Sequence, residues 1–321
     1  MMNFELNRHF PPNPFILHRS SFILHPSSLI PPLMHLTILY RGPLVSCNYG
    51  CEYCPFAKRQ QTAAELAVDR QSLEKFAAWI ADHPQHEFSI LFTPWGEALI
   101  HSWYQQTLAQ LSHLPQVRKV AIQTNLSCSL DWIEQTNPDR LALWTTFHPE
   151  WSKLDQFLEK CNYLQHYGIR FSVGVVGFLQ FREAMTTLRQ RLPQSIYLWI
   201  NAVKAALPQL TPDDRAFFQS IDPLYELNTH HYLSLGKACR AGASVISVDG
   251  EGTMRRCHFI KDAIGNLYDP AFETALVERP CTNETCHCHI GYVHLDYLEL
   301  DKVFGMGILE RVPIAHQMPS P

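Results

Sequence analysis

From residue 35 onward, short apolar runs alternate with longer stretches in which hydrophobic positions recur every three or four residues. "HLTILY" (35 to 40) reads as a strand, and a helix near 70 to 82 puts Leu73, Phe76, Ala77 and Ile80 on one face, with Asp69 as the candidate N-cap. "FSILFT" (88 to 93) leads to a helix carrying Trp103, Leu108 and Leu111, and "VRKVAIQT" (117 to 124) leads to a short helix around Trp132 and Ile133. "LALWTTF" (141 to 147) is followed by Leu154, Phe157, Leu158, Cys161 and Leu164 in helical register, stopped at Gly168. "RFSVGVV" (170 to 176) precedes a helix with Phe181, Met185 and Leu188, and "SIYLWINAV" (195 to 203) precedes a helix opened by Thr211 and Pro212. Six apolar strands alternating with helices imply an α/β fold with a parallel sheet, curved or flat. Ligands of such sheets gather beyond the strand C-termini, so the loops there are the places to search.

The first 33 residues differ. "FILHRSS" (15 to 21) is followed at once by "FILHPSS" (22 to 28) among prolines, without a period that would pack, so residues 1-33 are expected to be a disordered tail and Met34 a start. A chain of 321 residues that is 46% hydrophobic can bury a large core. The net charge of -4 and the scattered Lys and Arg give no electrostatic footprint for nucleic acid. Apolar runs stay far below the roughly 20 residues that cross a bilayer, and no export signal precedes them, so a cytoplasmic protein is expected. In that setting the closely clustered thiols among the ten cysteines read as metal ligands sooner than as disulfides.

"SCNYGCEYCPF" (46 to 56) places Cys47, Cys51 and Cys54 in the loop after the first strand, at C-x3-C-x2-C spacing. Structural zinc wants four ligands and the loop offers three; a four-iron cluster held by three thiolates keeps one iron open. With aromatic Tyr53 before the last thiol, the loop resembles the signature of the radical S-adenosylmethionine (radical SAM) enzymes. The resemblance implies a catalytic [4Fe-4S] cluster on Cys47, Cys51 and Cys54 whose open iron chelates S-adenosylmethionine. An electron from the cluster then cleaves the cofactor to a 5'-deoxyadenosyl radical, which abstracts hydrogen from a substrate.

The other strand ends agree in part. Gly96-Glu97 in "TPWGEAL" resembles the family's Gly-Gly-Glu, with Trp95 in place of the first glycine, and implies a partner for the cofactor's ammonium. Asn125, the Gly174 to Gly177 stretch with Val176, and Asn201 resemble ribose- and adenine-facing positions; each also reads as a tight strand exit or turn. The resemblance implies a partial (βα)6 TIM-like barrel over residues 34-210. Longer stretches, "LTILYRGPLVSCNYGCEYCPFAKR", "LFTPWGEAL", "IQTNLSC" and "CHIGYVHL", resemble a small bacterial radical SAM family without an assigned substrate.

Residues 211-321 hold the remaining cluster of thiols. Cys239, Gly252 and Cys257 form a C-x12-G-x4-C pattern resembling the opening of SPASM and twitch extensions, and the residues between the thiols read as a β-hairpin turning at Asp249-Gly250. Cys281, Cys286 and Cys288 follow in "CTNETCHCH". Five thiols suffice for one auxiliary [4Fe-4S] cluster and not for two; zinc on Cys281, Cys286, Cys288 and His287 or His289 is the alternative. Cys128 reads as an inert loop thiol, Cys161 as core, His148, His230 and His231 as structural or surface residues, and Arg41, Lys58 and Arg59 as a basic edge of the cysteine loop.

The expectation is therefore a radical SAM enzyme acting on a peptide side chain or a small metabolite, fed by a low-potential donor such as a flavodoxin or ferredoxin. A non-catalytic iron-sulfur electron carrier or scaffold, and a zinc-stapled binding module, are the competing classes.

Overall fold

The computed structural model describes residues 34–57 and 59–317; the repeat-bearing N-terminal segment and Lys58 lie outside the described residues. Six strands and five helices alternate as the periodicity predicts: β1 (His35–Arg41), α1 (Ala63–Ala81), β2 (Glu87–Phe92), α2 (Ser102–His113), β3 (Val117–Thr124), β4 (Leu141–Phe147), α3 (Leu154–His166), β5 (Arg170–Val176), α4 (Arg182–Arg191), β6 (Leu198–Asn201) and α5 (Pro212–Ile221). The segment around Trp132 is a 3-10 turn, Asp131–Gln135. Beyond α5 come the short strands β7 (Tyr232–Leu233), β8 (Val245–Asp249), β9 (Thr253–Arg255), β10 (Ala263–Asn266) and β11 (Thr285–Cys286).

β1 to β6 pair in parallel and in sequence order, and β8 joins β1 in parallel on its free side, so the nine-stranded sheet runs β10-β9-β8-β1-β2-β3-β4-β5-β6 among the described residues. The expected hairpin is β8 and β9, paired antiparallel with Val248 opposite Met254. Its turn needs Gly252: φ is +82°, and a Cβ there would stand 2.4 Å from the Tyr268 ring. The C-terminal region thus extends the parallel sheet at its β1 edge.

Both faces of the sheet are buried, as parallel strands require. Ile38, Ile90, Ile122, Leu143, Val173 and Ile200 pack outward against Phe76, Leu108, Phe157 and Leu188 of the helices. The alternate residues Leu39, Leu91, Ala121, Trp144 and Trp199 face inward and form one cluster with Ile290 and Leu309, which cover that side. Residues of β8, β1, β2, β3, β4 and β6 meet in this inner cluster. Each fully buried Leu, Ile or Phe contributes about 1.5 to 3 kcal/mol of transfer free energy.

One expectation is corrected. Asp69 does not cap α1: the N-cap is Thr62, whose hydroxyl accepts from the Glu65 N–H while the Glu65 carboxylate accepts from the Thr62 N–H. This Thr-x-x-Glu capping box satisfies two helix-end donors at once and fixes the start about two turns ahead of Asp69. Asp69 instead lies buried inside the helix, where it accepts from Trp103 Nε1 (3.1 Å) and Tyr104 OH (3.0 Å) and ties α1 to α2. Among the described residues no helix is long and apolar enough to cross a membrane.

Candidate functional site

Four loops at the C-terminal ends of β1 to β4 enclose a cleft of about 580 Å³, a size that suits a small-molecule ligand. Cys47, Cys51 and Cys54 line it together with Gly96, Glu97, Asn125, His148 and Trp151. The cysteine loop is held by Gln61, whose side-chain oxygen accepts from the backbone N–H groups of Val45 (2.7 Å) and Ser46 (3.2 Å). Gln60 donates to the Cys47 carbonyl at 2.8 Å. Both glutamines stand just before α1, so the helix start fixes the loop.

Gly96 brings the second loop against the first. A Cβ on it would stand 1.7 Å from the Ser46 carbonyl oxygen, and the neighbouring Glu97 N–H donates to that same oxygen at 3.1 Å. Glu97 is buried, and its carboxylate accepts from Thr124 Oγ1 (2.8 Å), the Asn125 N–H (2.6 Å) and the Leu99 N–H (3.0 Å). Burial raises its pKa to about 7 against the lowering effect of these donors. Three of roughly four acceptor positions are thereby used inside the protein. Glu97 shapes the β3 exit, with at most one lone pair left for the cleft.

At that exit the Asn125 amide donates to Asn48 Oδ1 at 3.1 Å and reaches Cys47 Sγ at 4.0 Å. Lys160 of α3 holds the same turn, donating to the carbonyls of Leu126, Ser127 and Cys128, each at 2.9 Å. Asn48 in turn donates to Ser127 Oγ at 3.0 Å.

His148, after β4, is the residue that sequence reasoning misses. Its Nδ1 pairs with the Tyr53 hydroxyl at 2.8 Å and lies 3.5 Å from Cys51 Sγ. Burial lowers its pKa to about 4, so the ring is neutral at pH 7. No ligand spacing announces His148, yet it occupies the same place after its strand as the cysteines, Glu97 and Asn125 do after theirs. Burial also pushes the Cys47 and Cys51 thiols up, and a thiophilic metal would displace their protons.

Gly174, Val176 and Asn201 do not line this cleft. Gly174 is filled by protein: a Cβ there would stand 2.0 Å from the Trp199 ring. Val176 and Asn201 pair with each other at the ends of β5 and β6, and Phe178 beyond them packs on Tyr53 at 5.3 Å between ring centroids. Cys128 and Cys161 are buried among apolar side chains, each with its pKa pushed up to about 12. Arg41 lies over the Trp95 ring at 4.6 Å, while Arg59 pairs with Glu65 at 2.8 Å.

The solved structures to which the chain is similar include anSMEcpe with bound AdoMet and Kp18Cys peptide, at 12% identity over 76% of this chain and 81% of that one, with a TM-score of 0.49. They also include BtrN in complex with AdoMet and 2-DOIA, at 15% identity over 76% and 88%, with a TM-score of 0.37. No family profile and no curated protein matches the chain.

The other five clustered cysteines also come together. Cys239, Cys257, Cys281, Cys286 and Cys288 line a second cavity of about 290 Å³, bounded by Phe259 and Leu295. The hairpin delivers Cys257, the pairing of β11 with β7 places Cys286 opposite Tyr232, and Gly291 leaves room for it, since a Cβ there would stand 2.8 Å from Cys286 Sγ. Arg256 secures the Cys281 approach by donating to the carbonyls of Pro280 and Arg279. Among the described residues no three His, Cys, Asp or Glu side chains converge on a single-ion site. His287 stacks on His231, and His289 is buried against Trp144 and Phe304.

Proposed function

We propose that this chain is a radical SAM enzyme with a catalytic [4Fe-4S] cluster on Cys47, Cys51 and Cys54. The observation that carries the reading is the open cleft: three thiols from one loop that offers no fourth cysteine, and room for a small molecule bounded by the Gly96-Glu97 and Asn125 turns. Bound cluster and S-adenosylmethionine would supply a one-electron cleavage of the sulfonium and a carbon radical that abstracts hydrogen from substrate. The protein's own part is positioning. Gly96 admits the close backbone approach, Glu97 and Lys160 hold the Asn125 turn, and Tyr53 with His148 braces the loop beside Cys51. Asn125 and the backbone around Gly96 are the polar groups offered to the cofactor's amino-acid moiety.

The second cavity, with five thiols, is read as the site of one auxiliary [4Fe-4S] cluster. A peptide side chain or a small metabolite is the substrate, and a low-potential flavodoxin or ferredoxin is the reductant.

The test is anaerobic reconstitution with iron and sulfide, followed by dithionite and S-adenosylmethionine. About eight irons and formation of 5'-deoxyadenosine are expected, with the Cys47, Cys51, Cys54 triple-Ala variant losing about four irons and all product. Iron uptake without 5'-deoxyadenosine would favour an electron carrier, and zinc in place of iron would remove the mechanism.

A further inference from the structure

The inner face of the sheet carries a buried guanidinium that no acceptor meets by a hydrogen bond among the described residues. Arg311 lies in the C-terminal segment that covers this face and is 3% exposed. Its guanidinium carbon is 4.4 Å from the Trp199 ring centroid and 5.8 Å from that of Trp144. Among the described residues it makes no hydrogen bond or ion pair, and its Nε is fully buried. The preceding residue shows the contrast: Glu310, equally buried, is met by Lys119 at 2.5 Å and by Arg170 at 3.6 Å. Arg311 also has φ of 56°, a left-handed conformation that is costly for a residue with a Cβ. A buried guanidinium whose Nε lacks an acceptor and whose backbone is strained carries a cost that stacking on Trp199 offsets only in part.

The surroundings point to what would offset it. The Tyr292 hydroxyl, within electrostatic reach of Arg311, is also buried without a partner among the described residues. Asp222 is near, but its oxygens are committed to Tyr197 OH (2.6 Å), the Ile200 N–H (3.0 Å) and the Leu224 N–H (2.9 Å). Lys204 donates to backbone carbonyls of Asn228 and His230. The charges around this face, Arg311, Lys204 and Arg41 against Asp222, are predominantly positive and suit an anion. Cys288 of the second cavity is within electrostatic reach of Arg311, Arg41 and Lys204, so this face adjoins the proposed auxiliary cluster.

We propose that Arg311 receives a carboxylate, held against Trp199 on the inner face of the sheet. Carboxylate and guanidinium are planar and pair through two parallel hydrogen bonds, and the ring face of Trp199 orients that plane. The identification of this carboxylate as the substrate's rests on the enzyme reading above; the binding site itself does not.

The test is the thermal unfolding midpoint of the cluster-loaded, full-length protein, measured anaerobically in sodium acetate against sodium chloride and acetamide at matched concentrations. Acetate is expected to raise the midpoint along a saturating curve by about 2 °C or more, with chloride and acetamide inactive. Arg311→Met should lose the increment, and Arg311→Lys should keep less than half of it. Equal shifts in acetate and chloride overturn the proposal, and this comparison needs no variant to fold. It is also overturned if Arg311→Met retains the acetate shift or if phosphate stabilises more than acetate. A shift seen only before the clusters are loaded overturns it too, because the cluster would then be the partner of Arg311. None of these readouts uses S-adenosylmethionine, so failure of the carboxylate site and failure of the enzyme reading are separate results.

Discussion

Glu97 shows how far a residue's role can be read from its neighbours in sequence. The Gly-Glu pair marks the position, and the structure adds that the acid turns inward to two donors at the β3 exit and to the Leu99 N–H of its own loop. Alternation along a strand cannot show this, because the orientation is decided by a loop whose path depends on Ser46 on the neighbouring loop. His148 is invisible in sequence for a similar reason: its partner Tyr53 lies 95 residues away. Gly174 is the opposite case, a glycine that reads as a cofactor edge and is needed by Trp199. The raised pKa of Glu97 gives a prediction. A carboxyl whose folded pKa stands at about 7 against 4.5 unfolded binds its proton more tightly when folded. Its contribution is therefore fully present below pH 4.5 and is lost as pH rises through 7, by about 3 kcal/mol in all. Urea denaturation between pH 4.5 and 8 should show Glu97→Gln flattening this slope relative to wild type; parallel curves would mean that Glu97 is ionised without penalty.

Elements are more legible than side chains. All six strands and five of the six expected helices follow from periodicity, the segment around Trp132 being a 3-10 turn, and the hairpin between Cys239 and Cys257 follows from alternation around a glycine turn. The start of α1 is misread from the stripe alone because Asp69 stands before its most regular part, while the capping box at Thr62 precedes it. What sequence cannot show is how tightly one loop seats on another. Gly96 is the test of that contact. Gly96→Ala puts a methyl into a backbone carbonyl, which a side-chain rotation cannot relieve. The expected outcome is a loss of about 2 kcal/mol or more in stability together with iron uptake reduced by about half, the second cavity filling normally. Normal iron binding in Gly96→Ala would show that the cysteine loop does not depend on this seat.

At the scale of the molecule, the chain from residue 211 onward extends and covers the sheet as well as carrying thiols. β8 covers the free edge of β1, and Ile290 and Leu309 cover the apolar inner face contributed by Leu39, Leu91, Trp144 and Trp199. This dual service is not legible in the sequence, where the cysteines define the segment and nothing signals that its strands pair with the first strand of the sheet. A fragment comprising residues 34 to 210 would keep Cys47, Cys51 and Cys54 and every strand and helix of the six units except α5. It would also expose a bare parallel edge at β1, a template for association with other chains, and a wide apolar face. The fragment is expected to aggregate and to take up far fewer than about four irons, measured by size exclusion and iron analysis beside the full chain. A monodisperse fragment that binds a full cluster would show that the C-terminal region is an independent appendage, and the continuity of the sheet across β8 and β1 would then have no part in holding the cleft.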